Sequence, residues 1–241
     1  MKKMLSQTIS EARSFLADVL DFVFPRHCTV CGERLQKDEQ FLCADCLLHL
    51  PRTGLASAEG NEIEQLFWGR VDIQRAMSFF KYHSASNYHR ILMDLKFHGK
   101  PEIGIFMGRL MARELVATMI FDGVDVIVPV PLAKSRLKKR GYNQSEMIAR
   151  GISEITGLQI DTRSVVRTKA NVSQIGKGRQ QRQENVEGIF SVADSDALKG
   201  KHVLVVDDVL TTGATTISLI SEIQKVCDAK CSVLTMALAS N

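Results

Sequence analysis

Two neighbouring acids, Asp207 and Asp208, stand between an apolar run, His202–Val206, and a segment rich in threonine and glycine. In that segment Gly213 permits a sharp turn, and the backbone amides ahead of the following helix form a site for an anion. Additional hydroxyl donors come from Thr211, Thr212, Thr215 and Thr216. Two carboxylates would repel the same anion, so ribose hydroxyls and a magnesium ion are their candidate partners. The stretch therefore predicts a sugar-phosphate site. The alternative, a capped helix start with solvated acids, explains one aspartate and one threonine but not the full order of residues.

Four cysteines form a second group of chemically active side chains. Cys28 and Cys31 make one CxxC pair, Cys43 and Cys46 make another, and eleven residues separate the pairs. Two such pairs supply the four thiolates of a tetrahedral zinc site, and a site closed by four sulfurs is structural rather than catalytic. A redox pair and buried free thiols are the alternatives. Because a module this small buries little apolar surface, the metal would hold it together.

Two basic segments could contact anions. Lys134–Arg140 carries five positive charges in seven residues and follows an apolar strand, so we expect a basic loop at the edge of the sheet. Arg167–Asn185 is also polar and basic and is expected to form a longer loop. Solvated charge and a mobile surface loop are the plain alternatives, and an electrostatic site for nucleic acid is a third. Neither segment contains an aromatic residue, and only Tyr142 lies close by in sequence, which argues against stacking of single-stranded bases.

The elements that must position these groups alternate between strand and helix. Short β-branched runs predict strands at 125–130, 202–206 and 231–239, and apolar residues at helical spacing predict helices at 145–156 and 215–227. This alternation indicates an α/β domain with a doubly wound parallel sheet. Ligands of such sheets bind beyond the carboxyl ends of the strands, where the acids and the first basic segment both fall.

Length and composition indicate the class of protein. The chain has 241 residues, of which 45% are hydrophobic and 24% charged, as expected for a globular protein with one large domain and a small module. We predict an N-terminal helix at 1–24, a cysteine module at 25–50, a connector at 51–75 and the α/β domain at 76–241. No apolar run reaches the roughly 20 residues that cross a bilayer. With no recognisable export signal, we expect a cytoplasmic protein without membrane insertion.

Several segments resemble one family of proteins. VLVVDDVLTTGAT is similar to the motif for 5-phosphoribosyl 1-diphosphate (PRPP) in type I phosphoribosyltransferases. FPRHCTVCGERL, LKFHGKPEIG, VPVPLAKSRLKKRGYNQSEMIARGI and SQIGKGRQQRQENVEGIF occur in the order found in the ComF/GntX family, and the similarity covers nearly the whole chain. That family joins an N-terminal zinc module to a phosphoribosyltransferase-like domain and is associated with DNA uptake in competent bacteria. The resemblance implies a type I phosphoribosyltransferase fold preceded by a small double zinc ribbon-like module with four cysteine ligands.

The resemblance also assigns roles to individual residues. Asp207 and Asp208 would hold the ribose 2′- and 3′-hydroxyls. The loop for the 5′-phosphate would comprise Thr211, Thr212, Gly213, Ala214 and Thr215; the pyrophosphate loop, Arg136, Arg140 and Gly141; and a flexible hood, Gln174 and Arg182. Magnesium would bind together with PRPP, and structural zinc would bind Cys28, Cys31, Cys43 and Cys46.

The function implied by the resemblance is binding of PRPP, or a related ribose phosphate, with magnesium in the service of DNA uptake. Single-stranded DNA or DNA-uptake proteins would be further partners. The alternative is an active PRPP-dependent transferase of nucleotide metabolism, including an amidophosphoribosyltransferase, whose acceptor is unknown. The sequence has no GxSxG motif, and transfer by positioning and electrostatics needs no side-chain nucleophile, so we assign no catalytic residue.

Overall fold

The chain divides into two compact units, Met1–Leu50 and Pro51–Asn241. The structure, a computed structural model, describes residues 24–54, 59–168 and 188–240. Apart from Phe24, the predicted N-terminal helix lies outside the described residues. Within these ranges, no helix has the length and apolar character needed to cross a membrane.

Seven strands form two sheets in the described part of the second unit. They are β1 (Ala76–Tyr82), β2 (Val126–Pro129), β3 (Gln159–Ile160), β4 (Val165–Arg167), β5 (Phe190–Val192), β6 (His202–Leu210) and β7 (Lys230–Ala239). The larger sheet has the order β1-β7-β6-β2-β3, and every neighbouring pair in it is parallel. Strands β4 and β5 form a separate antiparallel pair. The predicted parallel α/β sheet is therefore confirmed.

Six α-helices accompany these strands in the same described ranges. The first unit contains α1 (Ala44–Leu48), and the second contains α2 (His89–Phe97), α3 (Pro101–Leu115), α4 (Lys134–Arg140), α5 (Gln144–Thr156) and α6 (Ala214–Val226). Helices α5 and α6 follow β2 and β6 closely in sequence, as the predicted alternation requires.

The central strand β6 is buried because both faces of the sheet are covered. Since successive side chains of a strand point to opposite faces, Val203 and Val205 share one face, where they belong to the same buried cluster as Leu219 and Ile223 of α6. The side chain of Leu204 points to the other face and is fully buried, and α5 also packs against β6. Fully burying one such valine or leucine stabilises the fold by about 1.5–3 kcal/mol.

Helices α3 and α5 meet through two glycines. A Cβ atom at Gly108 would lie 2.1 Å from the carbonyl oxygen of Ile148, and a Cβ atom at Gly151 would lie 2.1 Å from that of Ile105. No Cβ atom tolerates such a distance, so the two backbones are in direct contact. The contact fixes the position of α5, which carries Ser145 in its first turn.

Two predicted boundaries differ from the structure. Strand β6 continues through Asp207 and Asp208 to Leu210, because Val209 and Leu210 pair with Ala237 and Leu238 of β7. The basic segment 134–140 is the helix α4 and not a loop. Its lysines, arginines and leucine are good helix formers, and Gly141, with φ of 86°, ends the helix in the left-handed conformation that glycine tolerates.

The described residues of the segment 51–75, interpreted from sequence as a connector, pack within the second unit. Ile63 and Phe67 are fully buried in the same cluster as Val203 and Leu219. The side-chain amide of Asn61 donates to the carbonyl of Ala76 at the start of β1. Glycines and polar residues suggested a linker, but apolar side chains between them belong to the core.

Candidate functional site

A cavity of about 750 Å³ lies at the carboxyl ends of β1, β2 and β6. Both acids of the opening motif line it, together with side chains from α2, α4, α5 and β4. The cationic lining residues are Lys96, Arg136, Lys139, Arg140 and Arg167. With five cations facing two carboxyl groups, the cavity favours a ligand that carries several negative charges.

The two acids are buried and are held differently. The Oδ1 atom of Asp207 accepts a hydrogen bond from the Ser145 hydroxyl and another from the backbone N–H of Asp208, both at 2.9 Å. In contrast, Oδ2 of Asp208 lies 3.1 Å from the ammonium nitrogen of Lys96, but it accepts no well-aligned hydrogen bond from any described residue. Asp207 is therefore anchored by hydrogen bonds, whereas Oδ2 of Asp208 is buried and, among the described residues, is held by the charge of Lys96 alone.

The electrostatics of the pair follow from this burial. Desolvation and, second, the charge of Asp208 raise the pKa of Asp207 to about 7 from its usual 3.8. Hydrogen bonds from the Asp208 amide and Ser145, together with the charge of Lys96, oppose this rise. A cation or a set of hydroxyl donors placed next to Asp207 would favour its ionised form.

The predicted phosphate loop connects β6 to α6. Thr211 and Thr215 line the cavity. Gly213, with φ of 73°, is the N-cap of α6, and a Cβ atom there would lie 3.4 Å from Ile217 Cδ1. Across the ranges that the structure describes, the backbone amides of residues 211–215 donate no hydrogen bond. These amides and the N-terminus of the thirteen-residue α6 are thus available to an anion. Thr212, Gly213 and Ala214 do not line the cavity; the first two precede α6, and Ala214 begins it.

The basic helix α4 forms another side of the cavity. Arg136, Lys139 and Arg140 all line it, whereas Gly141 ends the helix and does not reach the lining. The Arg140 guanidinium donates to the side-chain oxygen of Gln144 in α5. Burial lowers the pKa of Arg140, and the charge of Asp208 opposes this effect.

Lys96, Phe97 and Arg167 are among the lining residues that were not assigned individually from the sequence. Lys96 and Phe97 come from the end of α2, and Arg167 comes from β4. The Phe97 side chain is 65% exposed, and the Arg140 guanidinium lies 5.8 Å from the centre of its ring. Arg167 lies over Phe190, and its Nε has no hydrogen-bond partner in the described chain. Gln174 and Arg182, assigned to a hood, lie outside the described residues.

The first unit brings the four cysteines together. The sulfur atoms of Cys28, Cys31, Cys43 and Cys46 all lie within 4.8 Å of one another. The Sγ atoms of Cys31 and Cys43 are 3.7 Å apart, close to the roughly 3.8 Å edge of a tetrahedron with Zn–S bonds of about 2.3 Å. The amide of Cys43 donates to the sulfur of Cys28, which favours a thiolate there. This donor set fits a structural zinc ion.

Comparison with known proteins agrees with both units. The family model of the double zinc ribbon domain matches residues 19–56, and that of the phosphoribosyl transferase domain matches residues 104–239. The DNA utilization protein YhgH of Escherichia coli is 30% identical, over 78% of this chain and 79% of its own length. Competence protein F of Haemophilus influenzae is 31% identical, over 80% of this chain and 75% of its own.

A solved structure is also similar to part of the chain. The glutamine PRPP amidotransferase from B. subtilis, complexed with ADP and GMP, is 18% identical over 58% of this chain and 30% of its own, with a TM-score of 0.38.

Proposed function

This chain belongs to the ComF family, with a double zinc ribbon ahead of a phosphoribosyl transferase domain, and from that premise we propose that its cavity binds PRPP together with magnesium. The observation that carries the proposal is the meeting of three features in one cavity. These are a carboxyl pair at the end of β6, free backbone amides at the start of α6, and five cationic side chains.

Each feature suits one part of the ligand. The carboxyl group of Asp208 lines the cavity and can accept a hydrogen bond from a ribose hydroxyl. The amides of residues 211–215 suit a 5′-phosphate. Arg136, Lys139 and Arg140 suit a diphosphate, and magnesium would offset further charge on its oxygens.

The proposed biological setting is DNA uptake or use. Two relatives are named a competence protein and a DNA utilization protein, and we extend that setting to this chain. The basic helix α4 would also suit contact with single-stranded DNA or with an acidic partner protein.

Calorimetric titration with PRPP and magnesium tests the proposal. The wild-type protein is expected to bind, and Asp208→Asn is expected to lose about tenfold to a hundredfold in affinity, because a hydrogen bond to a charged group is worth about 1.5–3 kcal/mol. Glu222→Gln is the matched control, since Glu222 pairs with Lys225 on α6 away from the cavity. Absence of PRPP binding to the wild-type protein would contradict the proposal.

A second candidate function is transfer of the phosphoribosyl group to a planar acceptor. The exposed ring of Phe97 at the cavity favours it, since a heterocyclic base can stack there whereas ammonia has no such need. In such a transfer the acceptor nitrogen bonds to C1′ while the bond from C1′ to the diphosphate oxygen breaks, and the nitrogen gives up its proton.

Release of pyrophosphate from PRPP, measured with a panel of bases and with ammonia, tests this second function. Turnover with one base, reduced at least fivefold in Phe97→Leu and retained in Phe97→Trp, is expected of an enzyme with a stacking platform. If PRPP binds but no acceptor in the panel causes release of pyrophosphate, transfer to those acceptors is excluded and PRPP binding remains the proposed function.

A further inference from the structure

Lys96 places a positive charge directly against the acid pair. Its ammonium nitrogen lies 3.1 Å from Oδ2 of Asp208, and both side chains line the cavity. The Lys96 side chain is 25% exposed and that of Asp208 is 7% exposed, so water screens this ion pair less than a surface pair. Lys96 comes from α2. The sequence assigned ligand binding to three other segments: the acids with the phosphate loop, the basic segment 134–140 and the basic segment 167–185.

The positive charge of Lys96 offsets a repulsion between the acids and the ligand. Two buried carboxylates repel an anionic ligand that must come close enough for its hydroxyls to reach them. Other groups act on the acids from further away, namely Tyr82 and Arg140 on Asp208 and Arg167 on Asp207. In the described part of the chain, Lys96 is the residue that forms an ion pair with either acid.

The ammonium group can serve the ligand at the same time. It has three N–H donors, and the carboxylate of Asp208 lies on one side of its nitrogen. Because Lys96 lines the cavity, its other donors can reach a ribose or phosphate oxygen. Offsetting the acids while binding ligand oxygens is also what a divalent cation does beside a sugar diphosphate.

We propose that Lys96 is a built-in cation of the ligand site, which takes over part of the role of magnesium, so that ribose phosphates bind with only a weak dependence on the metal. The inference rests on the proposed function, because it concerns the same ligand. It assigns Lys96 both a contact to the ligand and the positioning of Asp208.

The experiment measures the affinity for PRPP by calorimetry in magnesium and in EDTA, with four proteins. The wild type is compared with Lys96→Met, with Lys96→Arg, and with Lys100→Met as the matched control. Lys100 lies four residues further on and pairs with Asp94 at 2.7 Å, but it does not line the cavity. Circular dichroism of each variant reports whether the fold is retained.

The expected results form a pattern across the two conditions. The wild type loses less than about tenfold in affinity on removal of magnesium. Lys96→Met loses about tenfold to a hundredfold in EDTA and clearly less in magnesium, because the metal restores the missing charge. Lys96→Arg keeps most of the affinity in EDTA, and Lys100→Met behaves as the wild type does.

Three outcomes overturn the inference alone, and a fourth overturns it together with the proposed function. Lys96→Met binds as well as the wild type in EDTA, or it loses the same factor in both conditions, as a merely structural residue would. Alternatively, the wild type binds only in magnesium, a result that needs no variant and leaves the proposed function intact. If the wild type binds PRPP in neither condition, the proposed function fails and the role of Lys96 fails with it.

Discussion

Replacing Asp207 by asparagine tests whether burial and repulsion raise the pKa of its carboxyl group. Oδ1 of Asp207 accepts from Ser145 Oγ and from Asp208 N, both at 2.9 Å. The side-chain oxygen of asparagine can accept the same two hydrogen bonds. The substitution therefore removes the charge while it preserves the anchoring contacts.

The size of the effect follows from the pKa of Asp207. Burial and the charge of Asp208 raise that pKa from 3.8 to about 7. Because the folded-state pKa is the higher one, the folded protein keeps a proton that the unfolded chain has released between about pH 4 and pH 7. The resulting stabilisation is fully present below about pH 4 and is lost as the pH rises through 7. Between pH 5 and pH 8 the loss amounts to about 2–3 kcal/mol of unfolding free energy.

Urea unfolding followed by circular dichroism, in buffer with zinc at pH 5, 6, 7 and 8, measures this effect. The difference between wild type and Asp207→Asn at each pH cancels the contributions of other titrating groups. Relative to the wild type, the variant is expected to gain about 2–3 kcal/mol between pH 5 and pH 8. Glu222→Gln, a change on α6 away from the acid pair, should show no such trend. A difference that stays constant with pH, or that runs in the opposite direction, would refute the reasoning.

Other predictions concern the loop, the anchor of the acid pair and the metal. Gly213→Ala should destabilise the protein by about 1 kcal/mol in thermal unfolding, since φ is 73° there, and should lower PRPP affinity; unchanged affinity would argue against an anion at these amides. Ser145→Ala removes one of two bonds to Asp207 Oδ1 and should cost about 1 kcal/mol in urea unfolding, with a larger loss at pH 8, where the carboxyl group is ionised. Removing zinc with a chelator should release one ion per chain, as measured by a colorimetric assay. The first unit should then unfold, as followed by circular dichroism, because the metal bound to its four sulfurs holds it together. Retention of the first unit's structure without metal would contradict this.

The parts predicted well from the sequence are those in which neighbouring residues act together. The spacing of the cysteines predicts their convergence, because each CxxC pair forms a local turn and two turns complete a tetrahedron. The sequence also predicts the edge of the sheet at which the acids and the threonine-glycine loop lie, because the β-branched run before them specifies a buried strand.

The parts that were missed depend on packing between distant segments. Lys96 and Phe97 reach the cavity because α2 ends beside it, and the hydrogen bond from the Tyr142 hydroxyl to the carbonyl of Leu95 ties these segments together. The sequence did contain a signal, since both residues belong to the segment LKFHGKPEIG, which carries part of the family resemblance. The basic segments lack aromatic residues in sequence, whereas Phe97 approaches Arg140 in space.

The sequence predicts a loop at the position of α4 because a dense run of positive charge is typical of solvated surface segments. Its residues favour helix individually, and Gly141 supplies the stop signal. As a helix, the segment presents Arg136, Lys139 and Arg140 on one side, at spacings of three and four residues. A flexible loop would not have fixed these three cations together.

The glycine contact between α3 and α5 leaves no space for a larger side chain between the two helices. Gly151 lies six residues beyond Ser145, about 9 Å along the helix axis. A methyl group at Gly151 or Gly108 would push α5 bodily outward, and the hydroxyl of Ser145 would leave Asp207 with it. In a screen for loss of ligand binding, damage at these two remote glycines would therefore mimic damage to the cavity itself.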